Sequence, residues 1–141
     1  MATFDHSIDL PVPPERAFAV VADARSAVRW HPAIIRAERP DGPVAIGTVT
    51  DSVFTFYGRE IMLAFEVTEL DAPGRVVMEA ESRRARARDE FDIEGTDAGC
   101  RLRYRSELRL GGFLRVFDRG LQIAFDSIGK RAVSGLADEF G

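Results

Sequence analysis

Residues 112–139 have the sequence GFLRVFDRGLQIAFDSIGKRAVSGLADE, and the spacing of their apolar residues predicts one long helix. Eight of the apolar residues form a stripe on one helical face: Leu114, Phe117, Leu121, Ala124, Phe125, Ile128, Ala132 and Leu136. A stripe of this length needs a long apolar partner, which only the preceding segments can provide. Gly135 lies in the stripe and Gly129 near it, and we expect both to leave room along the inner wall of the helix.

The segments before this helix alternate apolar and polar residues, as half-buried strands do. The alternation predicts strands at about residues 4–10, 47–57, 61–70, 75–82, 85–94 and 101–110, and a further short strand that begins at Ile34-Ile35 and stops at the turn 40–43. Two short helices are predicted after the first strand, at about 14–22 and 24–30, because Pro14 and Glu15 suit the first turn of a helix. The whole chain, 1–141, is expected to form a single domain.

The composition excludes several classes of protein. The net charge of −4 argues against nonspecific binding to nucleic acid or to an anionic membrane, and no apolar run approaches the ~20 residues of a membrane span. The N-terminus has no basic region followed by an apolar one, so a cytoplasmic protein is expected. Cys100 is alone, the two histidines lack metal-ligand spacing, and no glycine-rich phosphate loop is present, so neither a metal nor a cofactor is predicted.

Charged residues along the last strands set their register. Pairing residues 85–94 with 101–110 so that partner numbers sum to 195 brings opposite charges together as Glu94–Arg101, Asp92–Arg103, Glu90–Arg105 and Arg88–Glu107. Such pairs contribute about 0.2–1 kcal/mol each, whereas a slip of two residues would oppose like charges. The preceding hairpin agrees, since it sets Glu81 against Arg86. The arginine-rich stretch at 82–88 is therefore interpreted as a solvated, ion-paired outer face and not as a nucleic-acid site.

The same register places one carboxylate, Asp89, on the inner face of the sheet. Its neighbours there are Met78 on one side and Ser106 on the other. An isolated buried carboxylate is costly, so Asp89 is expected to be paired, hydrogen-bonded, protonated or in a wet cavity.

Four short stretches carry a family resemblance. They are IDLPVPPERAF at 8–18, VRWHP at 28–32, GTV at 47–49 and FEVTELDAPGR at 65–75. With the order of elements, they resemble the START/Bet v 1-like superfamily and, within it, the bacterial polyketide cyclase/dehydrase-like proteins. The resemblance implies an α+β helix-grip fold, in which a curved antiparallel seven-stranded sheet wraps around the long C-terminal helix, with two short helices after strand 1. It also implies an apolar cavity between the sheet and the helix.

The resemblance leaves three functions open, because the superfamily has no fixed catalytic signature. The first is a polyketide cyclase or dehydratase, the second a non-catalytic carrier or sensor of a lipid or isoprenoid, and the third a cochaperone-like protein-interaction module. The first two imply a hydrophobic small-molecule ligand, polyketide-like, aromatic or lipid, and a cavity filled by side chains would favour the third. A monomer or a homodimer is expected, the latter through exposed Val116 or Ile123.

The candidate catalytic residues are Asp89, His6 and Tyr104. In the resembled fold the first strand pairs with the last, which would place His6 near Tyr104 or Leu108. A carboxylate, an imidazole and a phenol around one apolar cavity could serve the proton transfers of an aldol-type cyclisation or dehydration, with burial raising the pKa of Asp89. The alternative is structural: Asp89 and Ser106 form an internal hydrogen bond, and His6 caps the end of the cavity.

The candidate ligand contacts lie on the inner face of the strands, on the stripe of the long helix and at the end of the second helix. They are Trp30, Phe54, Phe56, Phe65, Met78, Phe91, Ser106, Leu121, Phe125 and Ile128. The three helix residues are expected to face Phe54, Phe65, Phe91 and Tyr104 across the pocket. Trp30 either packs in the core or gates the mouth of the cavity. His31 occupies the place where the resembled family has a second aromatic residue, and the proline after it marks a helix boundary.

Overall fold

The computed structural model describes residues 1–56, 58–111 and 118–141, with side chains of the last segment described from residue 120 onward. The strands are β1 (Ala2–Leu10), β2 (Ile34–Glu38), β3 (Val49–Phe56), β4 (Arg59–Asp71), β5 (Arg75–Glu81), β6 (Ala85–Thr96) and β7 (Gly99–Leu110). The helices are α1 (Pro14–Val21), a 3₁₀ turn (Ala24–Ser26), α2 (Ala27–Trp30) and α3 (Asp118–Phe140). The predicted start of the long helix, with Leu114, Val116 and Phe117, lies outside the described residues.

The strands form one seven-stranded antiparallel sheet in the order β1-β7-β6-β5-β4-β3-β2. The first strand pairs with the last, and His6 lies opposite Tyr104. The long helix α3 packs against β1, β7 and α2. The predicted helix-grip fold is therefore confirmed. None of the helices in the described part of the chain is long and apolar enough to cross a membrane.

The predicted register of β6 and β7 is also confirmed, since the partner numbers in this ladder sum to 195. The ion pairs extend further than expected. Arg101 bonds to Asp9 at 2.9 Å and Arg103 bonds to Asp5 at 2.6 Å. Both carboxylates belong to β1, which lies along the other edge of β7, so these two guanidinium groups turn away from β6. The arginines thus join β1, β7 and β6 through an ion-paired outer face.

The inner face of α3 is buried, as its apolar stripe predicts. The buried apolar residues in its described part are Leu121, Phe125, Ile128, Ala132 and Leu136. At the first turns of the helix, the side-chain amide of Gln122 accepts a hydrogen bond from the Thr3 N–H at 2.9 Å and donates one to the Thr3 carbonyl at 2.8 Å. The amide therefore bonds to main-chain groups of Thr3 that a neighbouring strand would otherwise pair with at the outer edge of β1. Unpaired main-chain groups at such an edge promote self-association.

Two glycines of α3 leave room for protein groups and not for an empty cavity. A side chain at Gly129 would collide with the ring of Phe4, and a side chain at Gly135 would collide with the main-chain carbonyl of Trp30. The expectation that these glycines widen the cavity wall is wrong. They allow β1 and α2 to approach the helix closely, which a Cβ atom would prevent.

Candidate functional site

The inward-facing carboxylate of Asp89 is held by two hydroxyl groups of β7. The Ser106 hydroxyl donates to Oδ1 at 2.5 Å, and the Tyr104 hydroxyl donates to Oδ2 at 3.2 Å. The register explains both contacts, because Asp89 lies opposite Ser106 and the next inward residue of β6, Phe91, lies opposite Tyr104. The internal hydrogen bond between Asp89 and Ser106 is therefore present, and the phenol adds a second donor.

Burial changes the acidity of this group. It raises the pKa of Asp89 from 3.8 to about 6, although the hydrogen bonds from Ser106 and Tyr104 act in the opposite direction. Asp89 nevertheless keeps some accessible surface. The pKa of Tyr104 is raised well above its usual value, first by burial and then by the adjacent carboxylate. The site thus combines a phenol that stays protonated with a carboxyl group that can gain or lose a proton near pH 6.

Two small cavities meet at Asp89, with volumes of about 30 Å³ and about 20 Å³. Asp89, His31, Ile34 and Phe65 line both. Each cavity has room for one or two water molecules. The first is also lined by the predicted ligand contacts Trp30, Met78 and Phe91 and by Tyr104. The second is also lined by the predicted contacts Phe54, Ser106 and Phe125.

Three predicted ligand contacts lie in the core beside these two cavities without lining them. Leu121 and Ile128 are buried in the inner face of α3. Phe56 stacks on Phe54, with ring centres 6.2 Å apart. Of the helix residues expected to face the sheet across the pocket, Phe125 does so, because it lines one cavity with Phe54.

His6 and Asp89 are not brought together. The Nε2 atom of His6 lies 3.2 Å from Oδ1 of Asp126 on α3, and its ring stacks on Phe4. His6 lines neither cavity at Asp89. Its inward direction agrees with the alternation of β1, but β1 runs along α3, and the helix provides the nearest carboxylate.

A second imidazole, that of His31, lines both cavities together with Asp89. His31 is only 8 % exposed, and its Nδ1 atom accepts a hydrogen bond from the Ala33 N–H at 3.1 Å. The neutral ring therefore carries its proton on Nε2. Burial lowers the pKa of His31 from 6.5 to about 4, and the positive charge of Arg131 adds to this effect. Near neutral pH, His31 is an uncharged N–H donor beside the cavities.

The sequence contains a weak signal for His31, namely its place at the end of a helix where the resembled family has an aromatic residue. Its neighbour Trp30 is firmly packed. The indole N–H of Trp30 donates to the Ser26 hydroxyl at 3.0 Å, and its ring meets Phe91 and Tyr104 edge-on. These contacts agree with the packing role considered for Trp30 more than with a gate.

Among the described residues, no three histidine, cysteine, aspartate or glutamate side chains are grouped so that they could hold a metal ion. Cys100 is a buried free thiol. The ionisable and hydroxyl side chains that line the two cavities are His31, Ser52, Asp89, Tyr104, Ser106 and Glu107.

Solved structures share this fold along nearly the whole chain. Protein TTHA0849 from Thermus thermophilus has a TM-score of 0.78 at 16% identity, covering 97% of this chain and 94% of its own. A START superfamily protein from Mycobacterium smegmatis has a TM-score of 0.75 at 9% identity, covering 99% and 97%. Ara h 8.0201 has a TM-score of 0.60 at 17% identity, covering 96% and 97%. The chain thus shares its fold with these three proteins.

The family model described as "Polyketide cyclase / dehydrase and lipid transport" matches residues 1–141. The chain therefore belongs to this family. No curated protein matches the chain. The family and the fold together support a role in binding a hydrophobic ligand.

Proposed function

We propose that the protein binds a hydrophobic small molecule, polyketide-like, aromatic or lipid, between the sheet and α3, with a carbonyl group of this molecule against Asp89. The observation that carries the proposal is a carboxyl group, with a raised pKa, at the meeting point of two cavities with aromatic walls. Burying such a group costs free energy, and groups of this kind cluster at functional sites.

The same groups support chemistry of the cyclase or dehydratase type. In an aldol-type cyclisation, the Asp89 carboxylate removes a proton from the carbon next to a carbonyl. The enolate carbon then attacks a second carbonyl of the same molecule, and the Asp89 carboxyl returns the proton to the new alkoxide oxygen. Tyr104 and Ser106 orient the carboxylate, and the Nε2–H of His31 donates to the enolate oxygen. His6, which is paired with Asp126, has no step in this scheme.

Ligand binding in this interior requires movement of side chains. Sites for drug-sized ligands have volumes of about 300–1,000 Å³, whereas the two cavities at Asp89 have volumes of about 30 Å³ and about 20 Å³. Besides Asp89, the residues that line both cavities are Ile34, Phe65 and His31, and they lie where the cavities would merge. We expect the ligand to displace Ile34 and Phe65 and to join the two cavities into one.

The test is to extract the purified protein with organic solvent and identify bound small molecules by mass spectrometry, then to titrate the ligand into variants. Asp89→Asn is expected to weaken binding of a carbonyl ligand at least tenfold and to abolish any turnover. His6→Ala, the matched control, should change neither. If turnover is absent in the wild type while Asp89→Asn still weakens binding, the protein is a carrier or sensor. Unchanged affinity in Asp89→Asn would refute the site.

A second candidate function is a protein-interaction module, and the small volume of the two cavities favours it. In that case the extraction yields no small molecule. Exposed apolar side chains on β4, on β2 and just before β3 would then be the contact surface: Met62, which is 73 % exposed, Ile35 and Ile46. Met62→Lys should abolish partner binding without affecting the binding of any small molecule.

Light scattering decides between a monomer and a homodimer, with Ile123→Lys as the variant at the exposed face of α3.

A further inference from the structure

The strand β4 changes its partner in the middle of the sheet. It pairs with β3 through residues 59–66 and with β5 only from Glu66, which lies opposite Glu79. Continuing the second ladder would set Ala64 opposite Glu81, but the ladder does not extend there. The first half of β4 and the end of β5 are therefore not paired with each other, and this leaves a gap between the two strands beyond Glu66.

An open groove of about 630 Å³ lies over this gap on the outer side of the sheet. Its walls carry four glutamates and three arginines from β4, β5, β6 and β7. Two of the arginines are held by glutamates of the neighbouring strand, Arg86 by Glu81 and Arg88 by Glu79. The walls carry nearly equal numbers of negative and positive side chains. The groove therefore repels neither neutral molecules nor charged ones of either sign.

The groove and the interior share a wall. Ala87 and Glu107 line both the outer groove and the cavity that contains Asp89 and Phe125. Ala87 and Asp89 lie on the inner face of β6, yet both keep partial exposure, whereas the next inward residue, Phe91, is only 2 % exposed. Ala87 is not in the gap itself but pairs with Ala80 of β5, which lies at the edge of the gap. Next to the gap, the wall between groove and cavity therefore carries only the methyl group of Ala87.

We propose that this gap is the entrance through which a ligand reaches Asp89, and that the side chain of Ala87, next to the β5 edge of the gap, limits how wide a molecule can pass. Its role as a ligand entrance rests on the ligand binding proposed above. A methyl group at this position leaves a passage for a flat or narrow molecule that enters end first. A larger side chain would close the passage without touching the carboxylate or its two hydroxyl partners.

A different route would pass beside α2. The first cavity is lined there by Ala24 and Ala27, which also keep partial exposure. A large side chain introduced at Ala27 therefore provides the matched comparison for one introduced at Ala87. Both alanines line a cavity at Asp89 and are partly exposed to solvent.

The experiment measures how fast a small reagent reaches position 89, and it needs no ligand. The reporter is Asp89→Cys in a Cys100→Ala background, treated with methanethiosulfonate ethylammonium and followed by intact-protein mass spectrometry. The reporter is expected to react. Adding Ala87→Trp is expected to slow the reaction at least tenfold, Ala87→Leu to slow it less, and Ala27→Trp to leave it unchanged.

Three outcomes would overturn the proposal: an unreactive reporter, slowing by Ala27→Trp equal to or greater than slowing by Ala87→Trp, or no slowing by either. Circular dichroism and thermal unfolding show whether each variant folds, and Ala87→Leu decides the matter if Ala87→Trp does not. Failure to find any bound ligand would count against the proposed function but would leave this result unaffected, so the two failures are distinguishable.

Discussion

Asp89 and His31 are predicted to change the stability of the protein in opposite directions over the same pH range. Burial raises the pKa of Asp89 from 3.8 to about 6 and lowers the pKa of His31 from 6.5 to about 4. As the pH rises from 4 to 6, Asp89 is ionised in the unfolded chain but stays largely protonated in the folded chain. Ionisation therefore favours the unfolded chain, and the free energy of unfolding falls. As the pH falls from 6.5 to 4, His31 is protonated in the unfolded chain but stays largely neutral in the folded chain. Protonation therefore favours the unfolded chain, and the free energy of unfolding falls.

The two effects are similar in size. At 1.36 kcal/mol for each pH unit between folded and unfolded pKa values, each group changes the free energy of unfolding by about 3 kcal/mol. Since the signs are opposite and the ranges overlap, the two groups offset each other in the wild type. Carboxylates with lowered pKa values, such as Asp5 and Asp23, lose their contribution only below about pH 4. The wild-type stability is therefore expected to change little between about pH 4.5 and 6.5.

Single substitutions separate the two effects. In Asp89→Asn, the free energy of unfolding should rise by about 3 kcal/mol from pH 4 to 6.5, because only His31 remains. In His31→Asn, which keeps an acceptor for the Ala33 N–H, it should fall by about 3 kcal/mol from pH 4 to 6. Urea unfolding at a series of pH values, followed by the fluorescence of Trp30, provides the measurement. Parallel pH curves for the wild type and both variants would refute the burial of these groups.

Three further predictions concern the packing of the fold. Gly135→Ala should destabilise the protein by about 2 kcal/mol, because the collision with the Trp30 carbonyl outweighs the gain of about 1 kcal/mol in helix propensity; thermal unfolding measures it. Gln122→Ala should cost about 1 kcal/mol and increase self-association, since both hydrogen bonds to Thr3 are lost; light scattering detects the association. Arg105→Ala should cost about 1 kcal/mol in urea unfolding, because its partner carboxylate on β6 is largely buried.

Each of these variants has a matched control in the same element. Ser134→Ala, on the exposed face of α3, should leave stability almost unchanged, and an equal loss there would contradict the collision at Gly135. Gln122→Glu keeps the acceptor for one main-chain N–H and should associate less than Gln122→Ala. Arg101→Ala breaks an exposed pair with Asp9 and should have no measurable effect, so a loss as large as that of Arg105→Ala would show that burial does not decide the contribution of these pairs.

Much of the fold could be predicted from the sequence, because the signals are local and repeat along the chain. The alternation of each strand places Asp89 on the inner face, and charge complementarity selects the register that sets it opposite Ser106. Arg101 and Arg103 lie opposite Glu94 and Asp92 as predicted, but a strand in a sheet has two neighbours, and the side chains of both arginines bond to carboxylates on the other one. Asp5 and Asp9 of β1 are the actual partners.

The candidate site could be predicted only in part. Asp89, Tyr104 and Ser106 lie on adjacent strands, so the register is sufficient to bring them together. His31 is a helix-end residue whose distance from Asp89 depends on how α2 lies against the sheet, and no pattern in the chain specifies this. His6 faces inward as expected, but Asp126 of α3 is its nearest carboxylate.

The sequence by itself determined the strands, the long helix, the register of β6 and β7 and the inward carboxylate, because periodicity and the pairing of charges act between near neighbours. Only the tertiary structure decided that Gly129 and Gly135 accommodate Phe4 and the α2 backbone, that the cavities at Asp89 are small, and that β4 leaves a gap where it changes partners. These features depend on how elements distant in the chain settle against one another. Close packing depends on the shapes of many side chains at once, which no local pattern records.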